Sequence, residues 1–194
     1  MTRFGFVILA VASFSVTASA QKAPRTYPGV VLIIRHAEKP PESDPSVDLS
    51  MAGQARAKDL HKLFEKSPSR PNPFPKPDFI FATKNSKSSH RPVETVTPLS
   101  EKMNRPIEHK FKNEEFAMLA DELFDKAKYA DKVVLICWHH GEMPDLAKSL
   151  NAQPVPPKLK PNVFDRVWQI NYDAQGNGKL TDLPQHLMAG DSDK

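Results

Sequence analysis

The run Val30-Val31-Leu32-Ile33-Ile34 leads without a break into Arg35-His36-Ala37. This junction constrains the fold more than any other part of the chain. Aliphatic, mostly β-branched residues favour extended backbone, and an unbroken run of this length reads as a strand buried on both faces. The arginine and histidine that close it are delivered to the edge of the sheet. Ligands of open α/β sheets bind beyond the carboxyl ends of the strands, so the two side chains arrive where chemistry is done. Imidazole can serve as a nucleophile, and guanidinium is a planar, permanently charged partner for phosphate. Together they point to phosphoryl chemistry on the histidine.

Residues 1–20 hold one early cation, Arg3, then an apolar stretch from Phe4 to Val16, and end in Ala18-Ser19-Ala20 before Gln21. That pattern predicts a cleaved secretory signal. The apolar run is short for a bilayer span, so an uncleaved anchor is the lesser reading and no membrane association is expected after cleavage. A single domain over residues 21–194 follows, working outside the cytoplasm. Loss of Arg3 lowers the net charge of +4 by one. The remaining cations are scattered rather than banded, so no nucleic-acid partner is expected. Cys137 is the only cysteine; it has no intramolecular partner and is expected to be a buried, inert thiol.

Twelve of the 19 prolines cluster over 40–45, 68–77 and 154–161, which marks those stretches as loops, since proline lacks the N–H that helix and sheet both need. Between them, strands are predicted at Val30–Ile34, Asp78–Ala82, Lys132–Trp138 and Arg166–Tyr172, the last ending in the turn Gln175-Gly176-Asn177-Gly178. Helices are predicted at Ser50–Phe64, Pro92–Met103, Glu114–Lys126 and Met143–Leu150. Alternation of this kind predicts an α/β fold with a mainly parallel sheet covered on both faces. Trp168 and Tyr172 are expected to pack rather than bind, and the small, polar tail from Met188 is expected to fray.

Two further clusters fall at strand ends. Thr83 to Arg91 links the second strand to the second helix, and an arginine at a helix start after small hydroxyl residues suits an oxyanion site. The third strand ends in His139-His140-Gly141-Glu142. Two adjacent histidines could ligate a metal, but no partner stands at zinc spacing and HExxH is absent, so no metal is expected.

These segments, taken in order, resemble the histidine phosphatase superfamily, whose fold is called phosphoglycerate mutase-like. The signature strand is matched by Val30 to Pro40, with Ala37 where glycine is usual. Leu49 to Ala57 resembles the family's "L-[ST]-x-x-G-x-x-x-A" segment, Ser86 to Pro98 its "S…R-x-x-x-T-x-x-P" segment, and Val133 to Leu150 the strand bearing a second histidine. The resemblance implies a three-layer sandwich with a mainly parallel central sheet flanked by helices. It implies His36 as nucleophile, Arg35 and Arg91 as phosphate clamps, and one histidine of the 139–140 pair completing the pocket. Alignment of His-Gly favours His140, while counting back from the apolar position at Met143 favours His139. Glu114, Glu115 and Glu142 are the candidates for a general acid, Glu38 being nearer the nucleophile than that role normally requires. No cofactor or metal is implied. The expected function is a secreted phosphomonoesterase acting on a phosphorylated small molecule or phosphoprotein. A phosphoglycerate-mutase-type phosphotransferase and a non-catalytic phospho-ligand binder are the alternatives, and the oligomeric state is left open.

Overall fold

The computed structural model describes Met1 and residues 26–192; apart from Met1, the leader expected over residues 1–20 lies outside the described residues. Eleven elements follow in order. β1 (Val30–Arg35) precedes α1 (Met51–Asp59), which tightens into a 3-10 turn over Leu60–Phe64. Next come β2 (Phe79–Ala82), α2 (Arg91–Met103) and β3 (Ile107–Glu108). A 3-10 turn over Asn113–Glu115 opens α3 (Phe116–Asp125), and β4 (Val133–Trp138) and α4 (Met143–Ser149) follow. The chain closes with β5 (Ala152–Gln153), β6 (Arg166–Tyr172) and β7 (Gly178–Pro184).

The strands form one sheet in the order β3-β2-β4-β1-β6-β7-β5. From β3 to β1 all pairings are parallel. Beyond β1 the sheet turns antiparallel, through β6 and then β7. The sheet is therefore mixed but mainly parallel, as expected: β7 runs against β6 and so with β1, β5 runs with β7, and β6 alone opposes the other strands. The turn after Tyr172 sets the antiparallel pairing of β6 with β7. Asp173 Oδ1 accepts the N–H groups of Gln175 and Asn177, and Gly176 takes φ +83°, a conformation glycine enters without strain. A tight turn of this kind returns the chain antiparallel, so the segment is a hairpin whose second arm is β7.

Successive residues of each strand point to opposite faces. Val31, Ile33, Val134, Ile136 and Ile170 pack with Leu119, Leu123, Leu146 and Leu150 of α3 and α4. Leu32, Ile34, Leu135, Cys137 and Val167 pack with Leu60, Leu63, Val96 and Leu99 on the α1 and α2 side. Three layers result. Cys137 is fully buried, and burial pushes its thiol pKa up. Trp168 is buried and Tyr172 donates to Leu150 O at 2.7 Å, so both are packing residues.

The segment from Met188 to Ser192 is tied down rather than frayed. Asp191 is buried against Arg56 and accepts the N–H groups of Leu187 and Met188, while Ser192 donates to Asp165. Charge pairing across the fold, which a local reading of a polar tail misses, holds it down.

α1 is capped by Ser50, whose Oγ accepts the Gly53 N–H at 3.1 Å. The helix lies so close to the chain following β1 that a Cβ on Gly53 would sit 2.3 Å from Glu38 O. Gly53→Ala is expected to cost about 1–3 kcal/mol, the usual range for overpacking against an unyielding neighbour, read as a lowered melting temperature. An unchanged melting temperature would mean that this contact opens freely.

Candidate active site

The site is built by the pairing of β1 with β4. The two strands run in parallel with Val30 beside Val133, Val31 beside Val134, Leu32 beside Leu135 and Ile33 beside Ile136. The same four residues thus align with themselves across the ladder. One step past the last paired residues, the His36 N–H donates to Trp138 O at 3.1 Å, so residues 36 and 139 leave the sheet side by side. Their rings meet edge to face with centroids 5.3 Å apart.

His36 is buried, and its Nδ1 lies 2.7 Å from Ala37 O. A carbonyl only accepts, so Nδ1 carries the proton and Nε2 keeps its lone pair. Burial is the main cause of a pKa lowered to about 3, with His139, Arg35 and Arg91 adding repulsion and the Ala37 bond opposing it. The imidazole is neutral at ordinary pH, with its unprotonated nitrogen available for attack.

Arg35 is held from behind. Its Nη1 donates to the carbonyls of Lys160, Pro161 and Val163 at 3.2, 2.8 and 2.8 Å. Its guanidinium lies over the Phe164 ring at 3.9 Å, and that ring also faces His36 at 6.1 Å. Burial first, and Arg91 second, lower its pKa to about 10, which leaves it charged. Arg91 opens α2 and donates to Val47 O and Ser88 O. Thr95, one turn on, donates to Arg91 O at 2.7 Å and accepts the Ala37 N–H at 2.9 Å. One hydroxyl therefore ties the start of the arginine helix to the histidine loop.

Arg35, His36 and Arg91 line a cleft of about 690 Å³ with His139, His140, Ser89, Asn113 and the lysines 39, 84 and 112. Arg35 Nε, Arg91 Nε and Ser89 Oγ are buried without a hydrogen-bond partner among the described residues. Buried donors in that state favour an acceptor-rich, anionic ligand.

Both candidate second histidines line the cleft, but His139 is the one whose ring touches His36. His140 sits beside Lys158 and Glu142. Strand register thus sets His139, rather than the His140 favoured by His-Gly spacing, against the His36 ring. Burial lowers both pKa values to about 4. Glu114 and Glu142 line the cleft, whereas Glu115 accepts the Lys112 N–H at 2.8 Å and does not line it. That bond suits a helix-start carboxylate.

Sequence reasoning passed over Phe164, Thr95 and Ser89. For Thr95 the signal was present, since Oγ1 of a threonine four residues after an arginine can back-bond along a helix. Asp48, His90 and Glu94 bring ligand-type atoms within 4.8 Å of one another. They lie outside the cleft lining, where His90 meets Asp48 at 2.9 Å and Glu94 accepts the Leu49 N–H at 2.8 Å. They brace the Val47–Ser50 loop against α2.

No protein-family model matches the chain, and no curated protein matches it. Among solved structures, it is similar to the protein histidine phosphatase SixA complexed with tungstate. That match has a TM-score of 0.56 and 15% identity, and covers 80% of this chain and 97% of that one. It is also similar to phosphoglycerate mutase from Bacillus anthracis str. Sterne, with a TM-score of 0.51 and 15% identity over 81% of this chain and 94% of that one. The chain has the phosphoglycerate mutase-like fold.

The three histidines make stability depend on acid. Their folded pKa values of about 3, 4 and 4 lie below the ordinary 6.5. Below pH 6.5 the unfolded chain binds protons that the folded chain refuses, so stability falls as pH drops from 6.5 toward 4. The melting temperature is expected to decline across that window, and less steeply in the His36→Gln/His139→Gln double variant. Parallel declines in the two proteins would remove these histidines as the cause.

Proposed function

We propose that the protein is a phosphomonoesterase that works through a phosphohistidine on His36 and needs no metal. The observation that carries this reading is His36 itself, neutral, with Nδ1 bound to Ala37 O and Nε2 free, in a cleft flanked by two arginines. Nε2 attacks phosphorus as the P–O bond to the alcohol breaks. The departing oxygen takes a proton from a carboxyl in the cleft, Glu114 or Glu142. Water then attacks the phosphohistidine, the P–N bond breaks, inorganic phosphate leaves and the carboxyl is reprotonated. Splitting one displacement into two is the gain of covalent catalysis.

Arg35 and Arg91 hold the equatorial oxygens, where charge gathers in phosphoryl transfer. The dianion raises the pKa of the His139 ring, which then donates to the same oxygens. These cations supply the charge that a metal would otherwise bring. The similar SixA structure was solved with tungstate, a tetrahedral oxyanion like phosphate, which is in keeping with an oxyanion ligand for this chain. Lysines 39, 84 and 112 along the cleft suit a phosphorylated small molecule or phosphoprotein. The basic, apolar, Ala-x-Ala leader supports work outside the cytoplasm.

Rapid mixing with a phosphate-labelled aryl ester, followed by alkaline quench, is expected to trap label on His36, with His36→Ala losing both label and turnover by about three orders of magnitude or more. A non-catalytic binder would trap no label, and a mutase would pass it to an added alcohol rather than to water. His139→Ala is expected to lose turnover by about 100-fold or more, the cost of a lost transition-state donor, and His140→Ala less than about tenfold. The reverse order would return the role to His140.

A further inference from the structure

Arg56 lies outside the cleft, yet it is buried and every N–H of its guanidinium is engaged. Nε and Nη2 donate to the Glu38 carboxylate at 2.9 and 2.7 Å. Nη1 and Nη2 donate to Asp191 at 2.9 and 2.7 Å, and the remaining Nη1 proton goes to Gln185 Oε1 at 3.2 Å. On one side the clasp grips residues 185–191, since Asp191 also accepts the Leu187 and Met188 N–H groups and Gln185 donates to Asp165 O and Arg166 O. On the other it grips Glu38, whose carbonyl accepts both the N–H and Oγ of Ser50.

Glu38 is two residues past the nucleophile. Its amide nitrogen belongs to the same planar peptide as the Ala37 carbonyl, and that carbonyl receives His36 Nδ1–H. Any rotation of the Glu38 backbone therefore turns the acceptor that fixes the imidazole tautomer. Thr95 holds the preceding peptide through the Ala37 N–H and Ser50 holds the following one through the Glu38 carbonyl, and Arg56 fixes the Glu38 side chain between them.

We infer that Arg56 is a positioning residue, and that its clasp makes the C-terminal segment 185–191 part of the device that holds His36 as the Nδ1–H tautomer. The inference rests on His36 being the nucleophile. A buried arginine that satisfied two carboxylates only to stabilise the fold would have no need to meet one of them beside the histidine loop. Removing one partner leaves a buried charge short of its counter-ion, and the strain is delivered to Glu38.

Asp191→Asn in the full chain keeps the side-chain shape and removes one charge. It is expected to stay folded, to lower kcat on a small aryl phosphate about tenfold or more with KM within twofold, and to show mixed His36 tautomers in its ¹⁵N imidazole shifts. Asp191→Glu, which restores the charge, is expected to recover a single tautomer. Arg56→Lys serves as the second variant if Asp191→Asn fails to fold. A folded variant with a single tautomer and wild-type kcat overturns the inference, as does a loss of kcat that only tracks the unfolded fraction. If the wild type turns over no aryl phosphate, the phosphatase reading fails, while the tautomer measurement still decides the clasp.

Discussion

The parallel ladder between β1 and β4 is the constraint on which the remaining structure depends. Both strands are buried on both faces, so their apolar residues alone do not specify register. The polar residues at their ends do. Sliding β1 inward by one position would draw the Arg35 guanidinium into the aliphatic layers among Ile33, Val134 and Ile136, where a charge without partners costs many times one hydrogen bond. The ladder therefore stops where the cations begin, and His36 and His139 leave it at one level.

Positive charge is concentrated at this point under opposing pressures. Arg35 is buried, and its charge is tolerated because three carbonyls and the face of Phe164 replace its water. The histidines yield where the arginines cannot. They surrender their protons to burial and to the neighbouring guanidinium groups. An anion entering the cleft would thus meet fixed cations and neutral imidazoles, a division of labour set by intrinsic basicity.

Much of this was legible in the sequence because it was local. The alternation of apolar runs with helix signals marked β1, β2, β4 and β6, and each motif fell at the carboxyl end of a strand or the start of a helix. What the sequence hid was long-range. The identical Val-Val-Leu-Ile runs of β1 and β4 were each read as strands, but nothing local says that they lie residue against residue, so it was not legible that His139 is the one set against His36. β7 was missed because the turn after Tyr172 was taken as an ending rather than a hairpin. Phe164 lies ahead of the last strand, in the loop that cradles Arg35, where no motif marks it. Arg56 and Asp191 stand 135 residues apart, a pairing that no periodicity or motif can announce.

The position of β1 between β4 and β6 has a consequence for how the protein comes into being. β1 is the first strand to be synthesised, yet Val30 pairs with Val133 on one side and Asn171 on the other. Contacts of such wide sequence separation form late, since the intervening chain must be present before its ends can meet. A growing chain therefore carries its histidine strand unsheltered until the last third has emerged, and the groups of the cleft are assembled only in the finished molecule.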